Sequence, residues 1–165
     1  FADYLLTTGA FATVAEKIAS QVNFEIGEIE HLLASYAFIL EHAQQAEPDL
    51  ADKTVVASVL HSFYNGLENI FLAVAKRYDH QVPTGEQWHK DLLRQMAIET
   101  TQRSRVISVE LAETLEDYME FRHFFRHVYL LRLEWDRMKN LVISLSEVWA
   151  RTKAELQEFL NSLSE

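Results

Sequence analysis

Ten consecutive residues, Glu120 to Tyr129 (EFRHFFRHVY), hold two arginines, two histidines and a tyrosine among aromatic neighbours. Arginine and histidine together suffice to cut a ribose phosphodiester without a metal. An imidazole titrates near neutrality, so it can take the proton of a ribose 2′-hydroxyl or give one to a leaving oxygen. A guanidinium can hold the non-bridging phosphate oxygens as negative charge builds on them. The 2′-hydroxyl is the internal nucleophile of such a reaction, so RNA is a substrate and DNA is not. The same residues also have a structural use. A histidine on a half-apolar helix is commonly a hydrogen-bonded packing residue, and arginines beside aromatics cover apolar surface with their stems.

Helix geometry restricts how these groups can meet. At roughly 100° per residue, Arg122, Arg126 and Tyr129 share one face of a continuous helix, while Glu120, His123 and His127 share another. Arg122 and His127 then stand about 140° apart, so one straight helix cannot aim both at one phosphate. Either the helix ends inside the segment, or a second copy of the chain completes the site across a two-fold axis.

The rest of the chain reads as the helices that position this segment. Only 4 glycines and 2 prolines interrupt a sequence that is 48% hydrophobic, which favours an all-α fold. A first helical region is expected from about Phe11 to Gln45, ended by Pro48, with Asn23 and Gly27 able to bend or split it. A second runs from about Asp49 to Tyr78, and its wide apolar stripe from Val56 to Val74 implies burial on more than one side. The segment DHQVPTG breaks the chain, and Thr84 with Gln87 suggests a capping box ahead of a short helix to about Glu99. TTQRSRVIS reads as a loop. Ser108 begins a helix that reaches Arg126 or beyond, and a last helix runs from about Asp136 to Leu160. Five or six helices with short connections pack most simply as an up-and-down bundle.

A length of 165 residues suits one domain, taken as 1–165 with about the first ten residues as an extension. The chain has no cysteine, which excludes disulfides and thiolate metal sites and suits the cytoplasm. No apolar run reaches the roughly 20 residues of a bilayer span, so no membrane partner is expected. A net charge of −10 opposes a broad nucleic-acid surface but allows a local basic one. Arg94, Arg103, Arg105, Arg122, Arg126, Arg132 and Arg137 do fall in the middle of the chain. Glu68, among apolar neighbours, is placed to hold Arg122 or Arg126. His89 and Trp88 could line an RNA groove, with the indole stacking on a base.

The segment RHFFRHVY resembles the Arg-x4-His-x-Tyr signature of HepT toxins, a branch of the HEPN superfamily. FYNGLENIF, WHKDLLRQM and LEWDRMKNL resemble the helices around that signature, so the likeness spans about Ser58 to Glu158. It implies a HEPN-like helical bundle that forms a homodimer around the motif and acts as an endoribonuclease without a cofactor or metal. It assigns Arg122 and His127 as the catalytic pair; His123, Arg126 and Glu68 are expected in support from their own places in this chain. It further implies a type VII-like toxin–antitoxin pair, in which an MntA-like minimal nucleotidyltransferase adds AMP to Tyr129. The added bulk and negative charge would block and repel RNA at the phosphate site. His123 stands where relatives often carry Asn or another polar residue, and introduces a second candidate acid or base.

Two other uses compete. Glu28 with His31, Glu86 with His89 and Glu120 with His123 have the Glu-x-x-His spacing of di-iron bundles, and His123 with His127 could grip zinc from one helix face. Alternatively the domain is a HEPN binding module for a nucleotidyltransferase with no cleavage of its own. Against that, a scaffold has no need of Arg122, His127 and Tyr129 together.

Overall fold

The computed structural model describes residues 12–164. Phe11, the expected start of the first helical region, and the extension before it lie outside those residues. Six α-helices follow in order among the described residues: α1 (Val14–Ser35), α2 (Ala37–Gln45), α3 (Leu50–Val74), α4 (Trp88–Met96), α5 (Val109–His127) and α6 (Lys139–Ser162). A π-helical turn, Ala75–Asp79, continues α3, and two 3-10 turns, Leu130–Arg132 and Trp135–Arg137, join α5 to α6. The fold is an all-α helical bundle.

Local chemistry sets the main helix starts. The Thr13 hydroxyl accepts from the Glu16 amide while the Glu16 carboxylate accepts from the Thr13 amide, a reciprocal cap on α1. Asp49 accepts from the Asp52 amide at the head of α3, and Ser108 accepts from the Leu111 amide at the head of α5. The first helical region divides in a different place from the one expected. Asn23 and Gly27 lie inside an unbroken α1, and the break comes at Tyr36, where the backbone leaves helical geometry. Gly27 is exposed, with open space where a Cβ would stand. Its cost is therefore only the helix penalty of about 1 kcal/mol, which burial of Ile18, Val22, Ile26 and Ile29 outweighs. The capping box at Thr84 is also absent. Gly85 takes φ +95°, the turn closes from the Trp88 amide to the Gly85 carbonyl, and α4 starts only at Trp88, with no side-chain cap from Gln87 before it.

Helix α3 is the axis of the bundle and touches every other α-helix. Its buried positions, among them Phe63, Tyr64, Leu67, Ile70, Phe71 and Val74, occur around most of its circumference. This is why its sequence stripe is so wide. Ile29 of α1 presses against Gly66, where an added Cβ would come within 3.0 Å of its side chain, so the two helices meet closely at that point. Tyr118 and Trp149 pack edge-on against Phe63, tying α5 and α6 to the same axis. Among the described residues, no helix is long and apolar enough to cross a membrane.

The loop before α5 corrects another expectation. Arg103, one of the mid-chain arginines that could form a local basic surface, has a fully buried side chain. Two of its nitrogens bind Asp79 at 2.6 and 2.8 Å, and the guanidinium also donates to the carbonyls of Ile98, Ser104 and Gln95. Its charge is spent on latching the loop to the π-helical end of α3. Breaking such a pair from one side leaves an uncompensated buried charge. Asp79→Asn or Arg103→Ala should therefore lower stability by about 3–5 kcal/mol, read from the urea midpoint, and a loss below about 1 kcal/mol would contradict a structural latch.

Candidate active site

The two halves of the motif meet different environments. Arg122, on the side of α5 that packs against α3, is buried at 9% exposure. Its Nη2 donates to Asn65 Oδ1 at 3.2 Å and lies 3.7 Å from Glu68 Oε1, an ionic contact too long for a hydrogen bond. Its Nε has no hydrogen-bond partner among the described residues. Asn65 and Glu68 stand three residues apart on α3, so both side chains reach the same stretch of α5. Glu68 is itself buried at 4% exposure, and its other oxygen takes His89 Nδ1 at 2.6 Å. The His89 ring is stacked on Trp88, with centroids 3.6 Å apart. One carboxylate thus joins α3, α4 and α5.

Arg122, His89, His123, Glu86 and Glu120 line a cavity of about 220 Å³ between α4 and α5. It opens beside the arginine and mixes both signs of charge. His127 is the last residue of α5, exposed, with its Nδ1 held 2.8 Å from the His123 carbonyl and its ring 4.7 Å from that of His123. It therefore sits one turn beyond a residue that lines the cavity, on a face turned about 140° from Arg122.

The helix does end within the motif, though only after His127. Val128 is extended, with φ −101° and ψ 145°, so Tyr129 leaves the helical face it was expected to share with Arg122 and Arg126. Tyr129 is 80% exposed, and Leu130 and Leu131 beside it are exposed as well. Arg126 is exposed on α5, and of the two arginines considered for Glu68, it is Arg122 that the carboxylate meets.

Sequence reasoning missed Asn65 and His61. The available signal was polar residues interrupting an otherwise apolar stripe on α3. His61 packs against Phe125, with ring centroids 5.4 Å apart. Burial, followed by the charges of Arg122 and Arg126, lowers its pKa from the ordinary 6.5. Of the Glu-x-x-His pairs, Glu28 and His31 are exposed on α1, while Glu86–His89 and Glu120–His123 flank the cavity. Among the described residues, no group of three or more His, Asp or Glu side chains is arranged to hold a metal ion.

An all-α bundle carrying Arg-x4-His at the end of a packed helix is the arrangement that the HEPN resemblance implies. The HepT-like protein family model matches residues 55–163, about two thirds of the chain, and the chain belongs to the HepT-like family of HEPN-type toxins. The matched span agrees with the likeness read from about Ser58 to Glu158. Neither the curated proteins nor the solved structures offer a match.

The lowered pKa of His61 gives a testable pH dependence. Folding favours its neutral form, so its contribution to stability is complete above the unfolded value of 6.5 and is lost as pH falls through that value toward the lower folded one. Between about pH 7.5 and about pH 5, the urea midpoint should fall further for the wild type than for His61→Gln. Equal slopes would show that His61 does not carry the effect.

Proposed function

We propose that the protein is a metal-independent endoribonuclease toxin whose active centre combines Arg122 of one subunit with His127 of another. What carries this reading is the division of the motif: Arg122 lies at a cavity between helices, while His127 stands exposed on a different face of the same rigid helix. A homodimer packed around the ends of α5 would bring one chain's imidazole to the other chain's guanidinium, twice over by symmetry. The exposed Leu130 and Leu131, three and four residues beyond His127, give such a contact apolar surface to bury.

In this reaction, Arg122 holds the non-bridging oxygens of the scissile phosphate, and His127 moves a proton at the 2′-hydroxyl or at the leaving oxygen. Glu68 and Asn65 orient the guanidinium. Tyr129 is the acceptor of AMP from a nucleotidyltransferase antitoxin. Its position two residues beyond His127, at 80% exposure, supports that role, because the modifying enzyme must reach the phenol without unfolding α5. Arg122 is itself deeply packed, which favours a second reading in which it only braces α3 against α5 and the domain binds an antitoxin without cutting RNA.

Purified wild type should cleave single-stranded RNA, and Arg122→Ala or His127→Ala should each lower the rate by about 10²-fold or more. Equal activity in all three would identify a contaminating nuclease and support the binding module. Mixing the two inactive variants should restore one intact centre per heterodimer. Failure to recover activity after verified subunit exchange would show that each chain works alone. Tyr129→Phe should cleave like wild type and resist AMP transfer by the cognate nucleotidyltransferase, measured with labelled ATP. Loss of cleavage in that variant would give the hydroxyl a direct part in the reaction.

A further inference from the structure

We infer that His89 is a second proton-transfer residue of the same centre, acting as the base while His127 acts as the acid. The inference rests on the RNA-cleaving reading above and adds a residue to it. Its basis is the pair formed with Glu68. A buried carboxylate bound to Nδ1 at 2.6 Å fixes the proton of the neutral ring on that nitrogen and leaves Nε2 as the acceptor. The same carboxylate stabilises the imidazolium that forms when Nε2 takes a proton. Stacking on Trp88 fixes the ring plane, so the acceptor keeps one direction.

The contrast with Arg103 and Asp79 separates this pair from a structural latch. Arg103 is closed on all sides, its side chain wholly buried and its donors spent on protein acceptors. The His89 side chain keeps 22% of its surface, lines the cavity with Arg122, and leaves Nε2 with no hydrogen-bond partner among the described residues. A structural pair has no need of a free acceptor next to a phosphate-binding guanidinium.

Geometry also favours His89 over His123 as the partner of His127. The attacking and leaving oxygens at phosphorus lie roughly in line, so the base and the acid must reach it from opposite sides. The cavity at Arg122 offers both His89 and His123 of its own chain, but the exposed His123 ring has no carboxylate partner among the described residues to fix its tautomer. His89, from α4 across the cavity, has its ring held by Glu68 and Trp88. In the resulting step, Nε2 of His89 takes the 2′-hydroxyl proton, the 2′-oxygen bonds to phosphorus, and the bond from phosphorus to the 5′-oxygen breaks. The protonated His127 gives its proton to that oxygen. The products are a 2′,3′-cyclic phosphate and a 5′-hydroxyl, and solvent exchange of one proton from His89 to His127 restores both rings.

The test is single-turnover cleavage of a short RNA by the dimer carrying His89→Asn, whose amide can still donate to Glu68 but cannot titrate. The expected result is a fall of about 10²–10⁴-fold in rate with the low-pH limb of the rate profile lost. Affinity for the same RNA protected as its 2′-O-methyl form should not change, and imidazole added to His89→Ala should restore part of the rate. Should His89→Asn fail to fold by circular dichroism, His89→Gln serves in its place. Wild-type rate with both limbs intact in a folded variant would overturn the role of His89 alone, provided that Arg122→Ala is inactive. Wild type no faster than Arg122→Ala would remove the RNA-cleaving reading and this inference together.

Discussion

A carboxylate cannot be left bare inside a helical bundle, and the placement of the motif follows from how that of Glu68 is satisfied. It sits at 4% exposure on the central helix, between a histidine at 2.6 Å and an arginine at 3.7 Å. Desolvating such a group costs several kcal/mol, and its two cationic or polar partners offset that cost only while α4 and α5 hold their places. The arrangement adds little net stability compared with an apolar replacement of the same shape. Its effect is on geometry: Arg122 is held against α3 and His89 at the mouth of the same cavity.

The end of α5 has the opposite character. His127 caps its own helix through the His123 carbonyl, and the β-branched Val128 then turns extended. Two 3-10 turns carry the chain to α6, with Leu133, Trp135 and Met138 returning to the core while Tyr129, Leu130 and Leu131 stay outside. The motif therefore has one buried end and one exposed end within eight residues. A buried end gives precision to a charged group. An exposed end leaves a group accessible from outside the fold.

Charge is managed locally in a chain whose net value is −10. Asp79 neutralises Arg103, Glu68 faces Arg122, and Glu116 takes Lys90 at 2.5 Å. Arg126, exposed on α5 within the motif, has no ion pair of this kind among the described residues and keeps its positive charge at the surface. An acidic protein can in this way present a small basic site without the broad cationic surface that non-specific nucleic-acid binding requires.

The fold class, most helix limits and the motif were legible in the sequence because each depends on near neighbours in the chain. The wide stripe of α3 announced a central helix, Ser108 announced the start of α5, and the segment from Arg122 to Tyr129 resembled its family by spacing alone. Errors arose where distant contacts outweighed local preference, as when burial of Ile26 and Ile29 carried α1 through Gly27, or when Asp79 drew Arg103 into the interior. The site divides in the same way. Its candidate residues could be named from their types, but Asn65 beside Arg122, Glu68 shared with His89, and the opposite exposures of Arg122 and Tyr129 were decided only by packing. A sequence specifies which charges a chain owns, whereas the cost of burying each one depends on partners that only the folded chain brings within reach.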